Sequence, residues 1–143
     1  MLSLSCKAAI KATIYLGSKL HSTDKTGIKD IAEYIDENEH TVAKLLQKLV
    51  KKKIIKSAKG PNGGFYITPE QTNIKIIEIV KLIDGNDVFE HCGLGLNSCN
   101  DAHPCPFHNE FKPIRDDFKK MCSTNSIKNL YENVVSGFEF LNG

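Results

Sequence analysis

The chain has 143 residues, a formal net charge of +2, 41% hydrophobic residues and no tryptophan. That is enough apolar material for one core, and no apolar run reaches membrane-spanning length, so a soluble, cytoplasmic chain with no membrane partner is expected. No basic segment followed by an uninterrupted apolar stretch opens the sequence, and the five cysteines are an odd number, which argues against a secreted disulfide framework.

Residues 5–20 predict a helix, with Ala9, Ala12, Leu16 and Leu20 in one apolar row and Ile10 and Ile14 beside it. Gly17 and the polar run from His21 to Gly27 end it. Ile28, Ile31, Ala32 and Ile35 recur at i, i+3, i+4 and i+7, so a second short helix covers residues 29–36. A polar turn over residues 36–39 leads to a third helix over residues 40–52. Its apolar stripe is Val42, Leu45, Leu46 and Leu49, and Lys44, Lys48, Lys51 and Lys52 lie opposite. Ile54-Ile55 predicts a short strand, Lys59-Gly60-Pro61-Asn62-Gly63-Gly64 a turn, and Phe65-Tyr66-Ile67 the returning strand.

Two short helices joined by a tight turn and followed by a β-hairpin read as a winged helix-turn-helix. The expected fold class is mainly α with one small β-hairpin. Charge supports the same reading: residues 1–70 hold 12 Lys against 7 Asp and Glu, a net of +5, whereas residues 71–143 hold 7 Lys and Arg against 10 acids, a net of −3. Seven lysines and no acid occur between Lys44 and Lys59. A lysine run is ordinarily a solvated face, but this one coincides with a helix and a hairpin, which favours double-stranded DNA as partner. The expected contacts are Asn38, His40, Thr41, Lys44 and Lys48 at the third helix, with Lys59, Pro61, Asn62 and Gly63 in the wing. Lys44 and Lys48 would approach the major groove, and Lys59 would enter or flank the minor groove.

After Pro69, a deeply buried helix is expected from Ile74 to Ile83, ended by Asp84-Gly85. The next segment, residues 85–105, carries Cys92, Cys99 and Cys105 among Gly93, Gly95, Asn97, Asn100, Asp101 and Pro104, a composition that turns but cannot bury a core. Long loops inside compact domains are uncommon unless they have a function, and three converging thiols point to a metal centre. Three cysteines and a histidine are a legitimate zinc set, although zinc knuckles space their ligands more closely. Wide gaps suit a multi-iron cluster. Spacing alone leaves a cluster, zinc and idle thiols open. His108 follows Cys105 by three residues at a helix start, where both can face one side, and is the nearest candidate fourth ligand. His91 and His103 compete from positions expected to be exposed, and Cys6 and Cys122 read as small buried hydrophobes.

A long helix is expected from about Pro106, bent but not broken at Pro113. Phe107, Phe111, Ile114, Phe118 and Met121 are spaced 4, 3, 4 and 3, a coiled-coil-like seam. Phe111, Ile114, Phe118 and Met121 are the expected contacts of a homodimer reading a pseudo-palindromic operator. Ser126 would cap a last helix carrying Ile127, Leu130, Val134, Phe138 and Leu141. The chain thus divides into a DNA-binding part (1–84), a cluster loop (85–105) and a dimerisation part (106–143). No Ser/His/Asp arrangement or phosphate-cradling motif appears, and Asp116-Asp117 reads as a solvated face, so an enzyme is not expected.

The chain resembles the bacterial winged-helix regulators that include the iron–sulfur cluster biogenesis regulator, the nitric-oxide-sensing repressor and the cysteine-metabolism repressor. The resemblance covers nearly the whole chain. It rests on Leu4-Ser5-Cys6-Lys7-Ala8-Ala9-Ile10, on Lys44-Leu45-Leu46-Gln47-Lys48-Leu49, on Lys59-Gly60-Pro61-Asn62-Gly63-Gly64-Phe65, and on the three spaced cysteines. It implies a dimeric, sequence-specific transcription regulator whose DNA affinity responds to a cluster on Cys92, Cys99 and Cys105. Relatives of the cluster-biogenesis type use a histidine at the position of His108, which implies a [2Fe–2S] centre. In the nitric-oxide sensor a carboxylate near the start of the partner's first helix completes a [4Fe–4S] cluster, but the matching stretch here, Lys7-Ala8-Ala9-Ile10, has no acid. The [2Fe–2S] form is therefore favoured over [4Fe–4S]. The alternative is a zinc-stabilised or metal-free winged-helix DNA-binding protein that senses nothing. This chain departs from the family at Glu37-Asn38, where an apolar–small pair is usual, and in a gap between Cys92 and Cys99 that is one residue longer.

Overall fold

The computed structural model describes residues 1–141; residues 142 and 143, the end of the expected dimerisation part, lie outside the described residues. Helices α1 (Leu4–Ser18), α2 (Ile28–Ile35) and α3 (Glu39–Lys51) are followed by strands β1 (Lys56–Ala58) and β2 (Gly64–Tyr66), then α4 (Ile76–Asp84), α5 (Asp87–Glu90), α6 (His108–Thr124) and α7 (Ile127–Val135). No helix among the described residues is long and apolar enough to cross a membrane.

The core is organised around α1. Cys6, Ala8, Ala9, Ala12 and Leu16 are buried to within 1% of complete, and α2, α3, α4 and α7 all pack on this helix. Small side chains on several faces allow those neighbours to approach closely, so α1 is a buried helix rather than an amphipathic one. The thiol of Cys6 is pushed up to about 12, first by burial and then by the nearby Asp84 charge, and burial raises that of Cys122. Both behave as small hydrophobes, as expected.

The helix-turn-helix closes through local chemistry. Asp36 adopts a left-handed conformation (φ 54°) that ends α2, and Asn38 caps α3, its Oδ1 accepting from the backbone N–H groups of His40 (2.9 Å) and Thr41 (3.3 Å). Apolar Ile31, Ile35, Val42, Leu46 and Leu49 join the two helices in the core.

The wing is short. β1 and β2 pair antiparallel, with Lys56 opposite Tyr66 and Ala58 opposite Gly64. Ile54-Ile55, expected as a strand, is not one. Lys53 takes a positive φ of 60° after α3, the Ile54 N–H closes onto the Leu49 carbonyl at 3.0 Å, and both isoleucines are buried. They seal the exit of α3, and the ladder starts two residues later. A further bridge ties the wing to the helices, with paired hydrogen bonds between Thr26 and Phe65 at 2.8 and 3.0 Å. This is why Gly64 is needed: its φ is +142°, and a Cβ there would lie 2.8 Å from the Thr26 carbonyl oxygen.

Three further expectations need correction. α4 begins at Ile76 rather than Ile74, because Ile74 and Ile76 exchange backbone hydrogen bonds with Asn125 and Ile127 across an antiparallel bridge. Residues 85–105 are not all loop: α5 forms one turn there, anchored by Phe89, which is 3% exposed and tilted against Phe118 with ring centroids 5.7 Å apart. α7 ends at Val135, before Phe138 and Leu141. Gly137 (φ 79°) donates to the Val134 carbonyl and Phe138 to that of Asn133, a glycine stop of the Schellman type. Two features of the C-terminal helices follow the sequence. α6 continues through Pro113, whose lost hydrogen bond falls on the solvent side at exposed Asn109, and Ser126 caps α7 in a reciprocal box with Asn129.

The closeness of α1 to α7 gives a test. A Cβ at Gly17 would lie 2.5 Å from the ring of buried Tyr131. Alanine in a free helix is worth about 1 kcal/mol over glycine, but overpacking costs about 1–3 kcal/mol. Gly17→Ala should therefore lower stability in urea unfolding by up to about 2 kcal/mol. A raised midpoint would mean that the two helices are not in tight contact.

Candidate cysteine centre and nucleic-acid interface

The cysteine segment hangs between α4 and α6 from a few firm points. Buried Arg115 of α6 donates to the carbonyls of Glu90 (3.1 Å) and His91 (2.9 Å), fixing the chain just before Cys92. A Cβ at Gly93 would lie 2.8 Å from the Phe111 ring, so the loop can cross α6 there only as glycine. At the far end, the His108 N–H donates to the Cys105 carbonyl at 2.9 Å and starts α6. A charged residue in the apolar register between Phe111 and Phe118 was the available signal for Arg115, and the sequence reading missed it.

Those anchors bring the expected ligands together in two pairs. The sulfurs of Cys92 and Cys105 lie 3.4 Å apart, and the Cys99 sulfur lies 3.4 Å from His108 Nδ1. The Leu94 N–H also donates to Cys92 Sγ at 3.4 Å. Backbone N–H groups of Leu94 and Leu96 are the main reason the Cys92 thiol falls below its usual range, while burial pushes that of Cys105 up. His108 is 6% exposed, and its Nε2 is 2.7 Å from Asp101 Oδ1. The hydrogen bond to His108, then the charge of Lys112, hold the Asp101 carboxyl below the usual range. Asp101 carried no recognisable signal in the sequence beyond its turn-forming type. His91 and His103 are exposed, as expected.

Three thiols and an imidazole are a soft donor set of the kind that takes zinc or iron–sulfur groups. Among the described residues no three His, Cys, Asp or Glu side chains gather around one metal-ion position.

On the other half of the chain, His40, Lys44 and Lys48 stand exposed along α3, and Thr41 is half-buried. Lys59, Pro61 and Asn62 are exposed at the wing tip, where the Gly63 N–H closes the turn onto Gly60 O at 2.9 Å. Neither Lys44, Lys48 nor Lys59 pairs with an acid among the described residues. Asn38 is exposed, but its oxygen is occupied by the α3 cap. Glu37 points back to α1, 3.7 Å from Lys11 Nζ, which offsets one of the negative charges at this turn.

A groove of about 410 Å³ runs between α3, the start of α1 and the end of α4, lined by Ser3, His40, Thr41, Lys44, Lys48 and Asp84. Its floor holds a contact that no motif announced. Asp84, the last residue of α4, accepts from the Ser3 backbone N–H at 2.9 Å and from the Ser3 hydroxyl. Ser3 in turn caps α1 through the Cys6 N–H.

The expected dimer residues divide by burial. Phe111 and Phe118 turn inward, against Gly93 and Phe89, and are half-buried. Ile114 and Met121 face outward at 58% and 52% exposure, in line with Phe107 at 58%. The three outward residues are seven apart and form a straight apolar stripe on α6.

Comparison with known proteins places this geometry in context. The family model Rrf2, described as an iron-dependent transcriptional regulator, matches residues 2–133. The HTH-type transcriptional regulator NsrR of Geobacillus kaustophilus is 32% identical over 66% of this chain and 59% of its own length, so the chain spans about three-fifths of that relative. The HTH-type transcriptional regulator IscR of Photorhabdus laumondii is 24% identical over 91% of this chain and 79% of its own. The structure of CymR, the global cysteine regulator of B. subtilis, superposes with a TM-score of 0.73 over 92% of this chain and 96% of that one, at 22% identity, a likeness of fold.

Proposed function

Because the chain belongs to the Rrf2 family of iron-dependent transcriptional regulators, we propose that it works as a homodimer whose affinity for a pseudo-palindromic operator is set by an iron–sulfur cluster. As a member of that family it is a DNA-binding transcriptional regulator, not an enzyme. In this reading residues 1–84 read DNA, 85–105 hold the cluster and 106–143 build the dimer. Cys92, Cys99 and Cys105 supply three ligands and His108 the fourth. The observation that supports it is that Cys92 lies against Cys105 and Cys99 against His108 beside the start of α6, on a chain whose α3 and wing tip present lysines with no acid partner among the described residues. When bound, a cluster supplies a charge and a redox state that respond to conditions. The protein's own residues hold the loop, through Arg115 and Phe89, and connect it through α4 to the groove beside α3. The presence of His108 and the lack of an acid over residues 7–10 support [2Fe–2S] over [4Fe–4S].

The test is anaerobic reconstitution with iron and sulfide, followed by visible absorption and operator binding. Wild type should be coloured, and serine at Cys92, Cys99 or Cys105 should remove most of the colour while leaving helical content unchanged. Loaded and metal-free wild type should differ in DNA affinity. A colourless protein with one zinc per chain would overturn the cluster, since zinc is d¹⁰ and gives no visible absorption.

On DNA, replacing Lys44, Lys48 or Lys59 by alanine should each weaken binding and lower the slope of log affinity against log salt by about 1. A Lys59→Ala variant with unchanged affinity and slope would remove the wing from the interface.

For the dimer, burying one outward apolar side chain of α6 contributes roughly 1.5–3 kcal/mol, and twofold symmetry doubles each contact. Ile114→Asp should sediment as a monomer. If it stays dimeric, the outward stripe is not the interface.

A further inference from the structure

Resting on the proposed cluster site, we infer that Asp101 is a positioning residue: its carboxylate takes the Nε2–H of His108 and so presents Nδ1 as the ring nitrogen available to iron. A neutral imidazole has one N–H donor and one lone pair, and an ionised carboxylate can only accept. With Asp101 Oδ1 2.7 Å from Nε2, the proton belongs on Nε2 and the lone pair on Nδ1. Nδ1 is the nitrogen that faces the thiols, 3.4 Å from Cys99 Sγ. The ring itself is buried, whereas the Asp101 side chain is 78% exposed and adds nothing to the core. A carboxylate in this place is therefore not explained by packing. Histidines that bind metals commonly give their second N–H to such a group, which fixes ring and tautomer and strengthens the ligand.

The sequence position adds to the geometry. Asp101 lies between Cys99 and Cys105, inside the same loop that carries the thiols. The Ala102 N–H bonds to Asn100 Oδ1 at 2.8 Å, and the His103 N–H to the Asn100 carbonyl at 3.2 Å, a tight turn that directs Asp101 back toward α6. Lys112, one turn along α6, lines the same open groove as Asp101 and His108. Loop and helix thus bring ligand and orienting group together only when both are folded.

The experiment compares wild type, Asp101→Ala, Asp101→Asn and His108→Ala. In the metal-free proteins, long-range proton–nitrogen spectra in mildly alkaline buffer read the His108 tautomer directly. Wild type should carry the proton on Nε2, and Asp101→Ala should show a mixture. After anaerobic reconstitution, Asp101→Ala should lose its cluster to a chelator about 10- to 100-fold faster than wild type. Its reduction potential should shift upward. Asp101→Asn keeps an acceptor oxygen and should fall between the two. Since Asp101 is exposed, the variants should fold as wild type does by circular dichroism. An Nδ1–H tautomer in wild type overturns the inference, as does an Asp101→Ala protein with wild-type tautomer, cluster lifetime and potential. If wild type takes up no cluster, the proposed function fails, and the tautomer measurement alone then decides the role of Asp101.

Discussion

The close packing around α1 is the constraint on which the rest of the structure depends. Alanine, cysteine and glycine dominate its buried faces, so α3, α4 and α7 can each approach it almost backbone to backbone. A larger side chain on any of those faces would displace one neighbour. The displaced helix would be α3 with its exposed lysines, α4 that leads to the cysteines, or α7 that follows the outward stripe. These three regions have different chemistry, but they share this one packing surface.

Two polar contacts extend that sharing to the chain's connections. The carboxylate of Asp84 ties the end of α4 to the cap of α1, at the edge of the groove lined by His40, Lys44 and Lys48. The antiparallel bridge between residues 74–76 and 125–127 ties the start of α4 to the junction of α6 and α7. α4 is therefore clamped at both ends, and the chain leaves it for the cysteine segment through Gly85, whose φ of 78° suits glycine. The cysteine segment thus leaves α4 directly beside the end that Asp84 clamps. Only six residues separate Gly85 from Cys92, and Arg115 grips two of the carbonyls between them. A short path gripped in this way transmits displacement better than a slack loop would.

The elements that sequence reasoning found are those set by local periodicity and local caps. α1, α2, α3 and α7 follow from apolar spacing, and Ser126 identified its helix because a capping residue acts on its own next turn. What it missed was decided elsewhere. Ile54 and Ile55 have the composition of a strand, but α3 ends against them and the core takes both. Ile74 continues an apolar helical run, yet a partner fifty residues away claims its carbonyl. The seam on α6 was legible as a period, whereas its division into inward Phe111 and Phe118 and outward Ile114 and Met121 was not, because α5 supplies the inward partner Phe89. At the cysteine site the thiols and His108 could be read from spacing. Asp101 and Gly93 could not, since each acts through a contact across the loop rather than along it, and Arg115 showed only as a charge in an apolar register.

Sparse anchoring also sets how the cysteine segment behaves relative to the core. Between Gly85 and Phe107 the chain buries Phe89 and Cys92, and nearly all its remaining residues are exposed or half-exposed. Apolar burial contributes about 25 cal/mol per Å², so two buried side chains stabilise this segment far less than the stripes of α2 and α3 stabilise theirs. What remains is polar: Arg115 to two carbonyls, Asn100 to its own turn, and the Asp101–His108 bond. Such contacts contribute on the order of 1 kcal/mol each after exchange with water. The segment therefore belongs to the low end of the chain's range of local stabilities, able to open while the core around α1 stays folded. Four donors that bind a common group would add a restraint strong enough to dominate that local balance. Order in this segment then depends on the bound group more than on the fold, which is the physical condition for a loop to report whether that group is present.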